Sequence, residues 1–120
     1  MGGTPRSSEA VRARVRDMAR VGAWPAESAA TGEAGAIDDG AFVRVQVRRA
    51  GDGVEAVYKV FGCSAAIAAA SLVAEWIEEG RALDAGAVVT ALDLPEERVH
   101  VAALAVEAGA AALSRLNGGG

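Results

Sequence analysis

Between residues 42 and 61 apolar and polar side chains alternate regularly. In Phe42-Val-Arg-Val-Gln-Val-Arg48 the valines Val43, Val45 and Val47 fall on one face and Arg44, Gln46 and Arg48 on the other, the two-residue period of a half-buried strand. Gly51-Asp52-Gly53 is a turn signal, and Val54 to Phe61 returns to β-branched and aromatic residues, so the two runs predict an antiparallel hairpin. Ahead of it, the Gly- and Ala-rich stretch from Val21 to Gly40 reads as loop with one weak strand over Thr31 to Ile37. After Gly62-Cys63-Ser64 the period lengthens. Ala65 to Glu79 has high helix propensity and sets Ile67, Ala70, Ala74 and Ile77 on one side, with Gly80 as a stop. Helical spacing also marks Ser8 to Arg20, through Val11, Val15 and Met18, and a short helix over Asp84 to Leu92. A last helix is predicted from Asp93 to about Leu116, because Asp93 and Glu96 have capping-box spacing and Pro95 suits a first turn. Residues 1–7 and 117–120 read as tails. The sum is α+β, a small antiparallel sheet packed by helices.

Composition narrows the picture. Of 120 residues, 52% are hydrophobic and 23% charged, which is globular rather than disordered and leaves room for a single domain. Alanine supplies about a quarter of the chain and aromatics only 4%, so the core is thin, and a metal, a partner or a homo-oligomer would reinforce it. The net charge is -4, and the 12 basic residues dominate no stretch, which argues against nucleic acid as a ligand. The apolar run Ala65 to Ala74 stops at Glu75, short of the roughly 18 to 20 residues of a membrane span. The start MGGTPRSSEA holds no apolar leader, and a single cysteine suits a reducing, cytoplasmic setting.

Four residues could carry chemistry. Cys63 sits where a strand gives way to a helix, and unpaired N–H groups with the positive end of the helix dipole favour its thiolate there. Gly62 permits the tight corner that exposes the sulfur, although a free cysteine also serves as a small buried hydrophobe. His100, the one histidine, offers an imidazole for a metal or a proton, or stands as an ordinary surface residue. Asp39, or interchangeably Asp38, offers carboxylate oxygen, or simply makes the Asp-Asp-Gly turn. Trp76 reads as core, Trp24 as a plug over the core or a contact for another protein, and Glu75, Glu78 and Glu79 as a solvated helix face.

The string Val60-Phe-Gly-Cys-Ser-Ala-Ala-Ile-Ala-Ala-Ala-Ser-Leu-Val-Ala-Glu-Trp76 resembles the segment around the middle cysteine of the IscU/NifU-type iron-sulfur cluster assembly scaffolds. Further matches follow in order: Val21-Gly22, Gly32-Glu-Ala-Gly-Ala, Arg44-Val-Gln-Val and Leu94-Pro-Glu-Glu-Arg-Val-His100. The resemblance runs from about residue 8 to residue 116 and implies a three-stranded antiparallel sheet packed by helices. It further implies a nascent [2Fe-2S] cluster, or a zinc ion in its place, held by three cysteines with help from a histidine and an aspartate. In this chain Cys63 matches the middle cysteine and His100 the histidine, while Asp39 replaces the first cysteine, Ala41 the aspartate and Val101 the last cysteine. One sulfur, one imidazole and one carboxylate suit a single zinc or iron ion better than a complete cluster.

The implied partners are a cysteine desulfurase, which would pass persulfide sulfur to Cys63, and apo iron-sulfur proteins. Leu94-Pro95-Glu96-Glu97-Arg98 occupies the place of the family's recognition loop for an Hsp70-type chaperone, with two glutamates in place of neutral residues. Ordinary catalytic turnover is not expected. Three readings follow: a sulfur and iron carrier or cluster scaffold, an interaction module on the same fold without the chemistry, and a zinc-stabilised domain.

Overall fold

The computed structural model describes residues 8–16 and 19–118. Strands β1 (Ala30–Ala36), β2 (Ala41–Ala50) and β3 (Gly53–Phe61) form one sheet in the order β1-β2-β3, and helices α1 (Glu9–Val15), α2 (Ser64–Glu78), α3 (Ala85–Leu92) and α4 (Val99–Gly118) pack with it. Both strand pairs are antiparallel, with Val45 opposite Gly32 on one side and Tyr58 on the other. The alternation in β2 therefore sets the faces of all three strands. Val43, Val45, Val47, Ala34, Ala56 and Tyr58 are buried on one face, and the opposite face carries Arg44 bonded to Glu33 at 2.8 Å and Arg48 bonded to Glu55 at 2.9 Å.

The edge of β3 is covered by residues 20–22. Tyr58 N donates to Arg20 O and Gly22 N donates to Tyr58 O, each at 3.0 Å. The chain then crosses the outer face of the sheet to reach β1, and the crossing is pinned on Gln46. Its Oε1 accepts from Trp24 N at 2.8 Å, and its Nε2 donates to Trp24 O at 3.0 Å and to Thr31 Oγ1 at 3.2 Å. The half-buried Trp24 does not plug the core as expected: it lies on the polar outer face of the sheet, with the Arg48 guanidinium 3.9 Å above its ring. Replacing Gln46 by Leu leaves a peptide N–H and C=O of Trp24 without partners in a poorly hydrated place, which costs about 1–3 kcal/mol. A thermal or urea melt of Gln46→Leu checks this, and an unchanged midpoint would refute it.

Several expectations need correction. Asp93 caps no helix start: in the left-handed conformation (φ 51°) it closes α3, whose own N-cap is Asp84, and the chain passes a 3-10 turn at Glu96–Arg98 before α4 opens at Val99. Asn117 and Gly118 belong to α4 rather than to a tail, and the Asn117 side chain accepts from Arg49 at 2.8 Å. Glu75 and Glu78 are not a solvated face. Arg14 reaches Glu75 and Arg20 reaches Glu78, both at 2.7 Å, and Glu78 also accepts from Ala56 N at 3.0 Å, tying the N-terminal segment and β3 to α2. Nor does α2 bury one stripe: almost every residue from Ala65 to Ile77 is buried, because helices and sheet surround it, and Ile67 is only partly covered. Met18, expected on the apolar stripe of the first helix, lies outside the described residues. The stretch Glu96–Gly118 is long and apolar enough by composition to cross a membrane, yet its Ala102, Ala105, Ala108, Gly109 and Ala112 are buried in the fold. It is the helix that covers β1 and β2.

Candidate functional site

Cys63 is the N-cap of α2. Its backbone is extended (φ -80°, ψ 173°), its carbonyl accepts from Ala66 N at 3.0 Å and Ile67 N at 3.1 Å, and its side chain makes no capping hydrogen bond. The thiol is exposed at the N-terminal end of a 15-residue helix. Two neighbours shape the corner. Gly62 lies so close to the β1–β2 connection that a Cβ there would stand 3.3 Å from Gly40 O and 3.3 Å from the Ala66 methyl. On the other side, Ser64 shares an open cleft with Val11, Arg12, Val15 and Arg16.

Asp38 and Asp39 form a 3-10 turn with Ile37, closed by Gly40 in the left-handed conformation (φ 90°), and both are exposed. The pairing of Phe42 with Phe61 carries this turn to the level of Gly62 and Cys63. His100 arrives from α4. A Cβ on Gly32 would meet Ala108 and Ala112, and one on Gly35 would meet Leu104, so α4 runs against β1 with its N-terminus toward the Asp38–Asp39 turn. One helical turn of about 6 Å before Leu104 brings the exposed His100 to that same end of the sheet. All three expected donors therefore lie on one end of the fold. They are not gathered into a finished site: among the described residues no three His, Cys, Asp or Glu side chains stand close enough together to hold a metal ion. Val101, at the place of the last cysteine, is fully buried and turned into the core.

One feature of this end was not anticipated. Of the four large apolar side chains exposed among the described residues, three lie at this end: Ile37 (58%) and Val99 (39%) belong to the elements that carry Asp39 and His100, and Phe61 (52%) ends β3 two residues before Cys63. Phe61 was legible from the period of β3, since Tyr58 and Val60 point inward and Phe61 must then point out. Ile37 and Val99 sit at element ends, where no period applies. In the segment before α4, Leu94 is buried, while Glu96 and Glu97 are exposed on their turn.

A sheet carrying an exposed cysteine at a strand-to-helix corner, with a histidine and a carboxylate turn at the same end, defines a small α+β domain whose candidate site lies open on its surface. Residues 8–118 match the family described as NifU-like N terminal domain, and the chain belongs to that family. It is 36% identical over 91 residues to the iron-sulfur cluster assembly scaffold protein IscU of Buchnera aphidicola subsp. Acyrthosiphon pisum, covering 70% of this chain and 72% of that protein. It is 32% identical over 95 residues to IscU of Escherichia coli K12, covering 73% and 74%. Among solved structures, an iron-sulfur cluster assembly scaffold for the SUF system from Fervidobacterium Islandicum AW-1 superimposes with a TM-score of 0.66 at 18% identity, over 88% of this chain and 95% of that one, a likeness of fold.

Proposed function

We propose that this chain is an iron-sulfur cluster assembly scaffold of reduced ligand set. Cys63 is its sulfur acceptor and sole thiolate ligand, and Asp39 and His100 are auxiliary donors. The observation that carries this reading is the exposed Cys63 at the N-terminus of α2, at the same end as Asp39 and His100, in a chain of the NifU-like family. Sulfur transfer requires an accessible thiolate. The Cys63 thiolate attacks the outer sulfur of a cysteine desulfurase persulfide, the S–S bond of the donor breaks, the donor cysteine leaves as thiolate, and Cys63 carries the persulfide with no net change of oxidation state.

The cargo is then held by one sulfur, one nitrogen and one oxygen. This donor set suits a single iron or zinc ion with one open position, or a transient [2Fe-2S] unit completed by water, a second copy or an apo iron-sulfur protein that receives it. Because the three donors are not preassembled, loading draws the Asp38–Asp39 turn and the start of α4 toward Cys63, which suits a carrier that must also let go. The reducing compartment inferred from the single cysteine keeps the thiol available. Anaerobic incubation with ferrous iron, cysteine, a desulfurase and dithiothreitol, which supplies the two electrons that reduce persulfide sulfur to sulfide, is expected to give visible sulfide-to-iron charge-transfer absorption and about one iron per chain. A colourless, iron-free protein under those conditions overturns the proposal.

A further inference from the structure

At the end of the sheet away from Cys63, an open cleft lies between the Ala26–Ser28 turn, the start of β1, the end of β2 and the last turns of α4. Arg48 and Arg49 enter it from β2, Arg115 from α4 and Glu27 from the turn, with Ala29 and Leu116 as apolar wall. In a chain of net charge -4, three guanidiniums against the carboxylates of Glu27 and of Glu55, which is bonded to Arg48, leave the local balance positive. The three are also held in place. Arg48 is bonded to Glu55 and stacked on Trp24. Arg49 and Arg115 donate instead to neutral oxygens, the side-chain carbonyl of Asn117 and the main-chain carbonyl of Thr31, so among the described residues no carboxylate cancels their charge. A guanidinium has five N–H donors, and one such bond leaves most of them for a ligand.

We propose that this cleft is a binding site for an acidic peptide segment of a partner protein, which places two or more carboxylates on Arg49 and Arg115. The cleft is open, and a single exposed ion pair there is worth no more than about 1 kcal/mol. A lone anion therefore gains little, whereas successive carboxylates on one chain bind as a linked set. The Ala29 and Leu116 wall receives the methylene stems of glutamate side chains.

The test is fluorescence anisotropy of a fluorescein-labelled hexaglutamate peptide with the full chain at low salt. Binding is expected to weaken at least about tenfold in the double variant Arg49→Glu, Arg115→Glu and about threefold in Arg49→Gln. Arg49 is exposed, so Arg49→Gln reports on the cleft even if the double variant is poorly folded. Cys63→Ser is expected to bind the peptide as the unaltered chain does, which separates this site from the cluster reading. Absence of peptide binding, equal binding by Arg49→Gln and the parent chain, or tighter binding of pyrophosphate or single-stranded oligonucleotide through the same arginines each overturn the proposal.

Discussion

Cys63→Ser is expected to abolish the iron-sulfide absorption and to lower retained iron by at least tenfold. The chain contains one cysteine, and the neighbouring position that supplies a second sulfur in the family is Val101, wholly buried in the core. No other thiolate can take over. A serine hydroxyl stays protonated at neutral pH and is a hard donor poorly matched to iron-sulfide, and loss of even an outer-sphere partner commonly costs about 10–100-fold in metal affinity. His100→Ala and Asp39→Ala remove auxiliary donors only, so each lowers retained iron while leaving a weaker chromophore. Because Cys63 is exposed and its side chain caps nothing, while serine is a good N-cap, the serine variant should melt no lower than the parent chain, and iron content with visible spectra decides the matter. Retention of full absorbance by Cys63→Ser would remove the central claim.

Gly32→Ala is expected to be the most damaging small substitution. A Cβ at Gly32 would lie 2.0 Å from Ala108 O and 2.5 Å from Ala112 N, both backbone atoms of α4, so no rotamer change relieves the clash and β1 and α4 must separate. Overpacking of this kind costs about 3 kcal/mol, a large share of the roughly 5–15 kcal/mol that holds a domain together. The melting temperature should fall by about 10 °C. Gly40→Ala gives the contrast: nothing lies within 4 Å of its Cβ, and only the left-handed backbone (φ 90°) resists the change, at about 1–2 kcal/mol. The seam between β1 and α4 also sets how far His100 stands from Asp39, so Gly32→Ala should weaken iron retention beyond what its lower stability explains. A melting temperature within 2 °C of the parent would contradict the register described above.

The amino-acid pattern alone determined the hairpin, the helix after Cys63 and the assignment of Val43, Val45 and Val47 to the core. Alternation over 42–48 and the turn at 51–53 admit one register, and burial then needs only a face. The family resemblance was equally legible, because it rests on the local string around Cys63. Local spacing failed at Asp93, where capping-box distance competed with a left-handed helix end, and at Glu75 and Glu78, whose arginine partners come from 61 and 58 residues away. Only the tertiary structure decided that Asp39, Cys63 and His100 share one end. Their proximity depends on the antiparallel run of α4 against β1, a seam that needs Gly32, where a Cβ would lie 2.0 Å from Ala108 O, and no periodicity in the chain could announce that close approach.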